Sequence, residues 1–220
     1  MTSPGPAEVL AWEDRALERS LSAARDRSST RARQLVDAAR LLAAESGSSS
    51  FTVAEVAARA GVSLRSFYRH FSGKDDLLLA LFEEEAQLGA KLLSEALGPA
   101  RSPLERLRRY VVGLSGFMVT GSGYASLLVR EHLRLAERRA DELRVALAPL
   151  VDMLEVELTA AAADGDIRAV DRHDAIIVFS LILSHVHGAI LFAPEDDTDA
   201  DSERLWEFCL AALAAPASHQ

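Results

Sequence analysis

An all-α protein is predicted by three features of this 220-residue sequence. Apolar residues make up 49% while aromatics account for only 6%, and Ala and Leu, both strong helix formers, dominate. Apolar positions recur at helical spacing, and no alternating run is long enough to suggest a sheet. Several of the seven Pro and twelve Gly fall where those stripes stop. A chain of this length can form one domain or two small ones around a real core.

Residues 1–7 carry two prolines and read as a tail. From 8 to 25 a helical stripe of Leu10, Leu17, Leu21 and Ala24 predicts an extra N-terminal helix, either resting on the body or holding a partner. Arg25, Arg27, Arg31 and Arg33 then surround Ser28-Ser29-Thr30. This reads as a flexible basic arm, suited to a minor groove or to phosphate, or else simply solvated. The helix at 31–46 buries Leu35, Ala38, Ala39 and Leu42, with Val36 beside them, and ends at Gly47. Phe51, after a serine loop, is placed to act as a hydrophobic staple for the next helix.

That next helix opens on a capping box, Thr52 and Glu55, and its apolar side is Val53, Val56, Ala57 and Ala60. Gly61 follows directly, where a residue free to take positive φ is expected after a helix end. Ser63 caps a short helix over 64–71. Phe67 and Phe71 share its inner face, leaving Leu64, Arg65, Ser66, Tyr68, Arg69 and His70 for the others. A polar helix with two Arg after a glycine turn fits the recognition helix of a helix-turn-helix unit. Ser72 is the expected cap of the fourth helix, with Asp75 in the acidic slot. Lys74 at that helix start opposes the macrodipole, a conflict that a bound phosphate would remove.

Over about residues 31–80 the sequence resembles the TetR family of transcriptional regulators. The residues that carry the resemblance are Val53-Ala54-Glu55-Val56-Ala57, Gly61-Val62-Ser63, Tyr68, Phe71, Lys74 and Leu77. It implies a DNA-binding domain at 28–75, preceded by the tail and extra helix at 1–27 and followed at 76–220 by a ligand-binding and dimerisation domain. The expected DNA-binding set is Thr52, Ser63, Leu64, Arg65, Ser66, Tyr68, Arg69, His70 and Lys74. Tyr68, Lys74, Thr52 and His70 are assigned to the backbone, and Arg65, Ser66 and Leu64 to bases. The sequence departs from the family pattern at Arg65, where small residues or proline are frequent, so no base preference is carried over. Ala54 likewise brings no donor where some members have one.

The fourth helix continues through Leu77, Leu78, Leu81, Phe82 and Leu88 to Gly98-Pro99. Any signal between the two domains is expected to pass along it. Pro103 can open the next helix, which runs to Gly121. Helices follow at 124–136 and 140–163, the latter kinked or divided by Pro149. The last two are expected at 175–193, opened by Asp171 and Asp174, and at 198–214, capped by Thr198. The whole makes about nine helices plus the extra one. Residues 175–193 have the length of a membrane span, but Ser180, Ser184, His185 and His187 interrupt them and no basic cluster flanks them. They are read instead as a dimer seam with Leu205, Trp206, Phe208, Leu210 and Leu213. The resemblance implies the same homodimer, through 175–193 and 198–214.

Residues 27–74 hold eight Lys/Arg against three Asp/Glu, whereas 75–220 hold 13 against 25. A basic module on an acidic body suits a protein that touches DNA at one end. A lone Cys209 excludes an internal disulfide and suits a reducing compartment, and nothing reads as a signal peptide, so a cytoplasmic location is expected. No catalytic motif, cofactor loop or metal-ligand spacing appears, so no enzyme, cofactor or metal is predicted. The resemblance implies a ligand pocket inside the body, to which Phe117, Met118, Leu128, Met153, Phe179 and Leu183 are assigned as apolar lining. His132 and His185 are its polar contacts. The reading is a repressor released from a palindromic double-stranded operator by a small, largely apolar effector. The alternatives are an activator, or a helical ligand-binding or interaction protein of the same fold without operator binding.

Overall fold

The computed structural model describes residues 11–47, 49–98, 102–120, 123–192 and 198–214. Among these the chain forms nine helices and no strand. They are α1 Ala11–Ser46, α2 Val53–Arg59, α3 Leu64–His70, α4 Lys74–Leu97, α5 Pro103–Thr120, α6 Gly123–Arg138, α7 Ala140–Ala163, α8 Arg172–Phe192 and α9 Thr198–Leu213.

The separate N-terminal helix and the flexible arm after it do not exist as such, because α1 runs unbroken through 36 residues. Neither Gly nor Pro interrupts that span. The Thr30 hydroxyl donates to the Asp26 carbonyl one turn back at 2.8 Å, so the hydroxyl-rich stretch closes on its own helix. Leu21 and Ala24 are exposed, and this part of the stripe is not laid against the body. Leu10 lies outside the described residues.

Two apolar clusters divide the chain. The first gathers Leu35, Ala39 and Ala43 of α1, Phe51 of the following loop, Val56 and Ala57 of α2, and Phe67 of α3 around Leu77, Leu78 and Leu81 of α4. Leu135 of α6 and Leu143 and Ala146 of α7 complete it, so this core reaches well past residue 75 into the body. The second fills the body, with Tyr110, Leu114, Leu154, Leu158, Phe179, Ile182 and Trp206 among its members. The Tyr110 hydroxyl donates to the Leu150 carbonyl at 2.8 Å, which satisfies a phenol that burial keeps from ionising.

Local chemistry sets the helix ends. The capping box is present: Thr52 N–H donates to the Glu55 carboxylate and Glu55 N–H returns to the Thr52 hydroxyl. Gly61 takes φ 66°, with Gly61 N–H bonding the Ala58 carbonyl and Val62 N–H the Ala57 carbonyl. That pair of bonds is a Schellman ending, which needs the left-handed residue. The cap of α4 differs from expectation. Gly73 is its N-cap residue, and Ser72 instead donates from both its N–H and its hydroxyl to Asp76. Asp75 turns away to Arg134 and Arg138. Pro149 does not divide α7, which runs unbroken from Ala140 to Ala163. Asp171 accepts from His173 and Asp174 N–H groups and its own N–H donates to Asp174, capping α8.

A buried carboxylate, Glu157 on α7, is held by Arg106 of α5 through two bonds of 2.9 and 2.7 Å, and the third guanidinium nitrogen reaches the Gly98 carbonyl. No helix of the described residues is long and apolar enough to cross a membrane.

Candidate functional site

The recognition helix is fixed from below and open above. Phe67 is fully buried, and Ser63 accepts the Ser66 N–H at 3.1 Å to start the helix. Leu64, Arg65, Tyr68 and Arg69 share one exposed arc of α3, with Tyr68 59% exposed and edge-on to Phe67. Ser63 and Thr52 are exposed beside it, although the Thr52 hydroxyl is engaged with Glu55.

Two of the expected DNA contacts are placed otherwise. Ser66 is only 7% exposed, because its position on the helix turns it into the module, so it has no hydroxyl to offer a base. The Lys74 ammonium donates to the carbonyls of Ser49 and Phe51 and lies over the Phe51 ring. The conflict with the helix dipole is thus resolved by the carbonyls of the preceding loop rather than by an outside phosphate. Burial lowers the Lys74 pKa, opposed by the nearby Glu131 charge. His70 is half-buried, with its Nδ1 3.5 Å from the Ser28 hydroxyl.

Charge distribution marks the same end. Arg25, Arg27, Arg31, Arg33, Arg65 and Arg69 form no ion pair among the described residues. In the body, by contrast, Arg106, Arg108, Arg109, Arg134, Arg139, Arg168 and Arg172 are each matched to a carboxylate. Unmatched guanidinium groups around an open recognition helix are a surface prepared for a polyanion.

Residues 35–81 match the family model described as bacterial regulatory proteins, tetR family. The N-terminal module of this chain is thus of the TetR type. Its N-terminal part is 38% identical over 77 residues to the transcriptional regulator BetI of Brucella anthropi, a match covering 35% of this chain and 40% of that protein. The chain therefore aligns with less than half the length of this curated relative. Solved structures extend the likeness in fold along most of the chain. RolR in complex with resorcinol superposes with a TM-score of 0.71 at 16% identity, over 88% of this chain and 92% of that one. Thermus thermophilus FadR in complex with lauroyl-CoA gives 0.66 at 18% identity, over 86% and 98%.

A cavity of about 320 Å³ opens between α6 and α8. Val129, His132 and Leu133 line it from α6, and Ser180, Leu183, Ser184 and His187 from α8. Burial pushes the His132 pKa down, favouring the neutral ring. His187 has a buried Nδ1 without a partner. Of the expected lining, only His132 and Leu183 take part. Phe117 points outward, Phe179, Met118 and Met153 belong to the body core, and His185 does not line the cavity. The side chain of Leu128 lies outside the described residues. Ser180, Ser184 and His187 were missed, yet their spacing gives them away: a polar stripe at i, i+4 and i+7 on an otherwise apolar helix. No group of three or more His, Cys, Asp or Glu able to hold a metal occurs among the described residues.

The opposite side of α6 faces the DNA-binding module. Ser49 in the α1–α2 loop donates to Glu131, Arg134 and Arg138 pair with Asp75 at the start of α4, and Leu135 is buried in the module core. Beside them Arg139, the N-cap of α7, pairs with Asp76 at 2.9 Å. The expectation that α4 alone joins the domains is therefore corrected, since α6 forms a second and more direct bridge.

Proposed function

We propose that this chain is a dimeric transcriptional repressor released from a near-palindromic operator by a small molecule held in the α6–α8 cavity. The observation that carries this reading is the two-sidedness of α6. One face offers Val129, His132 and Leu133 to the cavity. The other, through Glu131, Arg134 and Arg138, grips the loop and helix start that support α2 and α3. A ligand that shifts α6 acts on the DNA-binding module without an intermediary.

The cavity lies at the small end of ligand sites, and two histidines with two serines give it hydrogen-bonding capacity on an apolar floor. It suits a compact, mostly apolar molecule with a hydroxyl or carbonyl group, nearer in kind to resorcinol, which RolR holds, than to a long acyl chain. Dimerisation is assigned to α8 and α9, where Ile177, Phe192 and Phe208 remain exposed although apolar. Moving a population from ~1:99 to ~99:1 requires about 5.5 kcal/mol of preference for the released state.

The test is fluorescence anisotropy of a duplex that the protein selects from a randomised pool, titrated with phenols and with acyl-CoAs. A tight cavity ligand should release the duplex, and Glu131→Gln with Arg134→Gln should keep ligand binding and lose the release. A cavity ligand that leaves duplex affinity unchanged in the wild type would overturn the mechanism.

A further inference from the structure

We infer that the cleft between the N-terminal half of α1 and the end of α3 is a built phosphate site that closes on the DNA backbone. This rests on the DNA-binding reading above and adds a contact outside the helix-turn-helix itself. The cleft encloses about 180 Å³ and is lined by Ala24, Arg27, Ser28 and Arg31 of α1 with Arg69 and His70 of α3. Positions 24, 27, 28 and 31 lie along one face of α1. On the same face, from Leu35 onward, the helix is buried in the module core. The stripe that is apolar inside the module thus turns cationic where it leaves it.

Three guanidinium groups border this small space, and none of Arg27, Arg31 and Arg69 forms an ion pair or hydrogen bond with another described residue. His70 adds a buried Nε2 with no hydrogen-bond partner. Its Nδ1 lies 3.5 Å from the Ser28 hydroxyl, and in the tautomer that accepts from that hydroxyl the Nε2–H is a donor lacking an acceptor. Cations crowded together with an unused donor are mutually repulsive until an anion enters. A phosphate, with several acceptor oxygens, answers all of them, and guanidinium forks match its geometry. The source is the DNA backbone rather than a free anion because the cleft adjoins the last turn of α3, whose exposed arc holds Arg65 and Tyr68. A strand flanking the groove entered by α3 passes that end. The N-terminal half of α1 would then act as a positioning arm that grips backbone and reads no base.

The experiment measures affinity for a duplex selected by the wild-type protein and for a random duplex across a salt series. Arg27→Ala with Arg31→Ala should weaken both by about tenfold or more and reduce the slope of log K against log salt by about 1. Arg33→Ala removes a similar charge from another face of α1 and should change little. Arg27→Lys with Arg31→Lys keeps the charges but loses the forks, and should weaken binding while retaining the slope. Circular dichroism confirms that each variant is folded. An unchanged slope in the alanine pair, or an equal loss from Arg33→Ala, overturns the site while leaving DNA binding intact. Inorganic phosphate bound at micromolar concentration, with DNA affinity unaffected by the alanine pair, would make it a free-anion site and overturn the assignment to DNA. A wild type that selects no duplex sinks the regulator reading and this site together.

Discussion

The Lys74 ammonium donates to the Phe51 carbonyl at 2.8 Å and stands 4.6 Å from the centre of that residue's ring. One side chain at the start of α4 thereby ties down the loop that launches α2. Lys74→Ala should lower stability by about 1–3 kcal/mol, the cost of leaving carbonyl acceptors unmet, as read from urea unfolding. Any accompanying loss of DNA affinity should leave the salt slope unchanged, because the ammonium is occupied within the protein.

Base reading is proposed to concentrate on Arg65. Its alanine variant should relax preference at one base position by ~1–3 kcal/mol in competition binding, with little effect on random duplex. Ser66→Ala should leave preference untouched, since Ser66 is buried. Equal losses on selected and random duplex for Arg65→Ala would reassign that residue to the backbone.

Acid should weaken the start of α4 through Asp76. Hydrogen bonds from the Ser72 hydroxyl and N–H, aided by Arg139, hold its pKa below the ordinary value of 3.8 despite partial burial. A depressed folded-state pKa gives stabilisation that is fully present above 3.8 and is lost as pH falls through the folded value. Asp76→Asn should therefore flatten that part of the acid limb in urea midpoints followed downwards from neutral pH. A variant that keeps the wild-type acid limb would locate the sensitivity elsewhere.

Dimerisation should fail when charge enters the α8–α9 face. Phe208 is 64% exposed, so Phe208→Glu should leave the fold intact and give a monomer in sedimentation. Leu205 and Trp206 on the same helix are buried in the body core, and charge there should unfold the chain instead. A wild-type monomer at micromolar concentration would remove the dimer from the proposed function.

The DNA-binding module was legible because its signals are local. A capping box, a left-handed glycine and an N-cap serine each act within six residues, and each stands where its spacing requires. The body yielded its helices for the same reason, but not its cavity. Whether Met153 or Ser184 meets a ligand depends on how α6, α7 and α8 are rotated against each other, and apolar lining and apolar core use the same residues. The α1 prediction failed by giving serines too much weight: Ser28, Ser29 and Thr30 break a helix only where the backbone has a better partner, and here Thr30 finds one on the helix itself. Lys74 misled differently, since the carbonyls it serves lie 23 and 25 positions earlier in the chain.

The two faces of α6 are in fixed phase. Because each residue advances an α-helix by about 100°, a single insertion or deletion between Val129 and Leu135 would turn the residues after it by that angle against those before it, so that cavity lining and grip could no longer both be met. Substitutions at 129, 132 and 133 can retune what the cavity accepts while Glu131, Arg134 and Arg138 keep their hold. On the proposed mechanism, sensing chemistry on this helix is free to drift in composition but not in length, and a change of ligand need not disturb the machinery that answers it.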